Sequence, residues 1–402
     1  MTSLTNDTNA SHPGLSDRLR ATDPYQWFFP LGIVFGLVGV GLWIAFQLKL
    51  WVAYPGLVHS ELMIGGFFLT VAAGFLMTAI PRFTGTGSAN LFEKVTVWTM
   101  AGLALVVGLA DSRIMFHALV WLELVLLGVF GLRRIRGSKF TPPPSFVLVG
   151  LGLGFGLLGA GLLCVHDVTT LPSGLALFGR QLFVYGMFYG LVLGIGSQLL
   201  PRIMGTHTNT LLQLGPTPMN PAARDAKKTG RFLIVGALLL VSFVLEAWLS
   251  LQAGWLLRAI VVSVVVVVAW QVYRLPAPRG VLPWCLWVSA WMLVLGGWPG
   301  AVAPSFHVHG IHMLFIGSLS LMIFSVATRV VLSHGGHDQR LELNSKALLA
   351  MLVCLIVSMA TRVAAPWIGQ YFSHLAYASI MWIAASLFWS AVFLPRLCRR
   401  RA

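Results

Sequence analysis

Charge is scarce in this chain and acidic charge scarcest: 10% of the 402 residues are charged, and 12 acidic residues face 27 basic ones. Soluble domains carry about 25% charged residues, so a water-facing globular surface cannot be built from this composition. Cysteine is also rare, four residues with no CxxC pair, which excludes a disulfide-stapled scaffold and gives no reason to expect a structural disulfide. No polar stretch between apolar runs is long enough for a soluble domain, which excludes Walker-loop, nucleophile-elbow and dinucleotide-loop chemistry. What abounds is apolar surface: 57% hydrophobic residues, with 42 Gly, 25 Phe and 15 Trp. The composition predicts an all-α polytopic membrane protein with the lipid bilayer as its first partner. The formal net charge of +15 then marks one membrane face, and no nucleic-acid partner is expected.

A helix crossing ~30 Å of hydrocarbon needs about 20 mainly apolar residues. Twelve such runs stand at 28–48, 58–81, 93–110, 113–132, 145–165, 176–200, 231–250, 254–273, 281–299, 307–331, 345–365 and 372–394. Only Asp111, Ser112 and Arg113 separate the third from the fourth. Basic residues of short loops stay cytoplasmic. With twelve spans, the clusters at Arg133, Arg134 and Arg136, at Arg224, Lys227 and Lys228, and at Arg399 to Arg401 all fall on the side of both termini, while the opposite loops carry only Lys49 and Arg113. The expectation is therefore twelve spans with both termini cytoplasmic, a polar and disordered tail over 1–24, and one membrane domain over 25–402. The tail lacks the apolar core of a cleaved signal peptide. The long inner loop over 201–230 reads as a connector.

A shift of 120 residues lays span two over span six, matching Gly66 with Gly186, Phe68 with Phe188, Pro81 with Pro201, Arg82 with Arg202 and Gly85 with Gly205. Span ten ends comparably at Thr328 and Arg329. Spans four apart that resemble one another suggest three four-helix repeats; the alternative is that apolar segments ending in Pro-Arg recur through the positive-inside rule alone.

Ionisable side chains inside a bilayer are costly and call for a partner or a function. Seven of the eleven histidines (His59, His117, His166, His307, His309, His312 and His374) fall at or near the outer ends of spans. A single such histidine is more often structural, but seven on one side, three of them in HVHGIH, favour ligation of haem iron, copper or zinc. At ~100° per residue, His309 and His312 share one face of span ten, about 60° apart, and His307 points elsewhere or caps the helix. Glu61, beside His59, is a candidate ligand, supporting partner or proton-transfer group. Gly66 follows His59 on nearly the same face, where it either lets a flat macrocycle approach or simply packs helices. Glu246 can pair with Arg180 or Arg258, and a basic side chain at that depth, Arg180 among them, can hold carboxylates such as haem propionates.

The segments HSELMIGGFFLTVAAGFLMTAIPRFTG (His59 to Gly85) and HMLFIGSLSLMIFSVATRVVLSHGGH (His312 to His337) resemble the NnrS family, bacterial membrane proteins described as containing haem and copper and tied to the response to nitric oxide. His59, Gly66, Gly74, Phe75, Leu76, Thr78, Ala79 and Pro81 match the first family pattern, and His312, Leu314, Gly317, Thr328, Arg329, His334 and Gly336 the second; WFFP at Trp27 to Pro30 matches the start of span one. Glu61 departs from it, standing where the family has a second histidine, and the pair His307 and His309 is extra. The layout is also similar to the catalytic subunit of haem-copper oxidases, which hold a low-spin haem between spans two and ten. The likeness stops at the copper centre, because spans six and seven here contain no histidine.

The resemblance implies a haem, with copper as a further cofactor, in the cytoplasmic membrane. His59 is then an axial ligand and His309 or His312 its partner, His309 by the oxidase likeness and His312 by the family pattern. His59, Glu61, His307, His309 and His312 form the candidate metal set, and Arg180 joins the cofactor site. Two other function classes use the same residues: a transporter of a metal, haem or small solute, and a quinol-linked oxidoreductase.

Overall fold

The apolar runs fold as helices in a computed structural model of the chain, which describes residues 19–206, 217–218 and 226–398. Among these residues twelve helices are long and apolar enough to cross a membrane: span one Tyr25–Gln47, two Gly56–Thr84, three Leu91–Leu109, four Arg113–Arg136, five Phe146–Val168, six Ser173–Met204, seven Lys227–Trp248, eight Leu251–Ala269, nine Val281–Val302, ten Pro304–His334, eleven Lys346–Ala364 and twelve Tyr371–Leu397. The protein is an all-α polytopic membrane protein. Spans three and four part at Asp111, whose φ of 53° reverses the chain in the left-handed region. Span four runs on through Arg133, Arg134 and Arg136, past its expected limit at 132, because a helix satisfies its own backbone and can carry basic side chains out into the interface.

The N-terminal expectation is corrected in part. Residues 1–18 lie outside the described residues, but 19–22 are docked: the buried Lys94 ammonium donates to the carbonyl oxygens of Leu19 at 2.8 Å and Thr22 at 2.7 Å. A buried cation needs acceptors, and this segment supplies them. Most of the inner loop read as a connector, 207–216 and 219–225, also lies outside the described residues. Its residues Thr217–Pro218 (β2) pair antiparallel with Phe140–Thr141 (β1), so the loops after spans four and six meet. Nearby, Asn90 and Glu93 form a capping box that starts span three, and Arg134 grips the same Glu93 carboxylate at 2.6 Å. Glu342, in the loop after span ten, takes Arg329 at 2.6 Å; burial pushes its carboxyl above the ordinary range, with Arg329 opposing.

Spans two, six and ten converge at the centre, where Phe68 meets Phe188 at 5.5 Å and Phe315 at 6.1 Å between ring centroids. Each of the three breaks from α-helix into a wider π-helical stretch, at Leu62–Phe68, Leu182–Gly186 and Met313–Ser320. Another such stretch lies in span eight, at Val265–Ala269. In spans two and six a left-handed glycine, Gly85 (φ 65°) or Gly205 (φ 64°), caps the C-terminal end; in span ten the cap is Gly335 and the left-handed glycine, Gly336 (φ 64°), follows it. In all three the glycine follows the first π-helical residue by 23 positions, and the fifth π-helical residue is glycine: Gly66, Gly186 and Gly317. The third unit thus joins the repeat on backbone register, where side-chain identity had matched only weakly.

Candidate functional site

π-Helical stretches concentrate at functional sites because the extra residue per turn re-aims the side chains above it. The residue immediately before each stretch is Glu61, Gln181 or His312. At that level a cavity of about 440 Å³ lies among spans one, two, six, ten, eleven and twelve. Its walls include His59, Arg180, Tyr185, His307, His312 and Arg362, over aromatic side chains of Phe68 and Phe315. Phe68 also lines a second, wholly apolar cavity of about 90 Å³ among the same three spans, toward their C-terminal ends.

His59 places its Nδ1 2.9 Å from the Gly39 carbonyl oxygen of span one and sets its ring edge-on to Trp43. His312 places Nδ1 2.8 Å from the Val308 carbonyl oxygen, one turn back. A carbonyl only accepts, so in each neutral imidazole the proton sits on Nδ1 and Nε2 keeps its lone pair. The two rings therefore present the same nitrogen, in the same tautomer, on one cavity. His309 is arranged the opposite way. Arg362 Nη1 stands 2.8 Å from His309 Nδ1; a guanidinium only donates, so Nδ1 accepts, Nε2 holds the proton, and the ring has no free lone pair. His309 is not among the residues lining the cavity.

Of the residues singled out from sequence, His59, His307, His312 and Arg180 come together and Glu61 and His309 do not. The Glu61 carboxylate turns toward spans four and five, with Arg113 Nε at 3.4 Å and His117 Nε2 at 3.8 Å; Asp167 completes that cluster on His117 Nδ1 at 2.6 Å. Arg113 bridges the two acids, reaching Asp167 at 3.5 Å as well as Glu61, so the Glu61 carboxylate is already held in this cluster. His307 packs on Trp255 at 4.8 Å between ring centroids, and its Nε2 is buried without a hydrogen-bond partner among the described residues. Glu246 pairs with Arg258, not Arg180, at 2.5 Å with both side chains fully buried, and Trp255 Nε1 donates to its other oxygen at 3.2 Å. Gly66 is tightly packed: a Cβ there would overlap the Phe35 ring of span one, and one at Gly74 would meet Phe28.

Sequence reasoning left Arg362 without a role. It is buried in span eleven and lines the cavity, and an arginine inside an apolar run was the available signal. Among the described residues no three or more His, Cys, Asp or Glu side chains are placed to hold a metal ion, so the donor set does not fit a protein-caged copper. Two Nε2 lone pairs on a cavity with aromatic walls and an arginine-bearing rim do fit a haem, whose macrocycle supplies the other four ligands.

Two comparisons bear on identity. The sequence profile of the family described as NnrS protein matches residues 21–401. No curated protein matches the chain.

Proposed function

Since the chain belongs to the NnrS family, we propose that it is a haem-binding membrane protein of the response to nitric oxide, with the haem held in the outer cavity by His59 and His312. The observation that carries this reading is the matched tautomer of the two rings, each locked by a backbone carbonyl so that Nε2 is the ligating atom. When bound, haem supplies a redox-active iron. The chain's own residues orient the two imidazoles, exclude water with Phe68, Phe315 and Trp382, and set Arg180 at the mouth as a counter-charge for acidic arms. The apolar cavity behind Phe68 gives an uncharged diatomic gas a dry compartment next to the site.

Spans six and seven offer Arg180, Gln181, Gln198 and Glu246 but no imidazole for a second metal. The reading is accordingly one of binding nitric oxide, or protecting other metal centres, with negligible oxygen reduction and at most slow turnover. It places the cavity at the outer face of a bacterial cytoplasmic membrane. Purified protein should carry haem with a six-coordinate, low-spin optical spectrum, and His59→Ala should abolish or convert it. An unchanged spectrum in a folded, haem-loaded His59→Ala protein would remove His59 from the site.

A further inference from the structure

Three arginines are buried among the described residues: Arg134, Arg258 and Arg362. The first two are neutralised by carboxylates, Glu93 at 2.6 Å and Glu246 at 2.5 Å. Arg362 has none within ion-pair distance among the described residues. Its partners are neutral or aromatic: His309 Nδ1 at 2.8 Å and the Tyr371 ring at 5.9 Å. An uncompensated cation in a low-dielectric interior is unfavourable by several kcal/mol, yet this one is held in place by a dedicated acceptor and forms part of the wall of the outer cavity.

From this missing counter-charge we propose that Arg362 is the ion-pair partner of an acidic arm on the molecule that fills the cavity, and that His309 is the positioning residue that aims it. The proposal rests on the haem reading above and specifies the ligand further: a flat apolar body seated over Phe68 and Phe315, with a carboxylate directed outward. Arg362 lies two residues from the outer end of span eleven, so an acid paired there stays near the membrane interface while the body of the ligand lies deeper. Arg180, on span six, is exposed and screened by water, so its pairing is the weaker of the two. His309, a candidate ligand from its sequence pattern, takes on this different task because its Nδ1 lone pair is already committed to the guanidinium.

The test uses metal-free protoporphyrin IX and its dimethyl ester, two bodies of the same shape that differ in carboxylate charge and need no axial ligand. Each is titrated optically into the full-length protein in neutral detergent. Wild type should bind the acid about 10-fold more tightly than the ester, a difference of about 1.4 kcal/mol. Arg362→Gln should remove most of this preference, leaving only the weaker share of Arg180, and leave the ester unchanged, which also reports an intact fold. Arg362→Lys should keep part of the preference, because an ammonium pairs as a point charge without the bidentate fork, and His309→Ala should lose part of it. Excess phosphatidylglycerol should not displace the acid; displacement would assign Arg362 to a lipid phosphate and overturn the proposal. Undiminished preference in Arg362→Gln would overturn it while leaving a porphyrin in the cavity. Failure of wild type to bind either compound would overturn the haem reading as well.

Discussion

An imidazole is fit for ligation according to what its other nitrogen does. His309 and His312 sit on the same short helical turn and are equivalent by spacing, but Val308 and Arg362 make them opposites, one presenting a lone pair at Nε2 and the other a proton. His312→Ala should therefore remove the low-spin haem spectrum. His309→Ala should retain it, with weaker retention of the porphyrin. Optical spectra of the two variants at matched haem content check this, and loss of the low-spin form in His309→Ala alone would reverse the assignment. None of this was legible in the sequence, because the deciding partners are remote: His309 meets Arg362 53 residues away and His59 meets Gly39 20 residues away. The pairing of Glu246 was half legible. Two arginines of the right sign and depth were visible, and only packing against Ser242, Phe243 and Trp255 selects Arg258.

At the scale of elements, the twelve helices could be read directly, since length, hydropathy and flanking charge are local properties. The π-helical stretches could not. Opening a helix by one residue per turn leaves no periodic signature in a run that is apolar on every side, and Leu62–Phe68 reads as ordinary α-helix. Gly66 lies within that stretch, and its two readings separate experimentally. If it serves helix packing, Gly66→Ala drives a methyl group into the buried Phe35 ring, costing about 1–3 kcal/mol by overpacking. Thermal unfolding in detergent should then occur at lower temperature while the haem spectrum stays that of wild type. A spectral shift at unchanged stability would restore the macrocycle reading. The same kind of close approach joins spans five and six, where a Cβ on Gly152 would meet backbone atoms of Met187 and Leu191 at 2.8 and 2.9 Å.

For the whole molecule, three units sharing one register place three converging helices around a common centre, and the chemistry differs among them at equivalent positions: Glu61, Gln181 and His312. The 120-residue offset exposed the first two units, whereas the third became visible only through backbone geometry, since Gly336 keeps its place while the neighbouring Pro-Arg pair is absent. The basic loops predict the orientation. A reporter active only in the cytoplasm should work when fused after Ala402 or within 133–141 and fail within 299–306; a periplasmic signal at the C-terminus would invert the topology and put the cavity on the inner face. The most direct test of the central claim is electron paramagnetic resonance of the oxidised, haem-loaded wild-type protein. Ligation by His59 and His312 predicts a low-spin ferric signal of the bis-imidazole type; a high-spin signal, or a low-spin signal with a non-imidazole axial ligand, would contradict it.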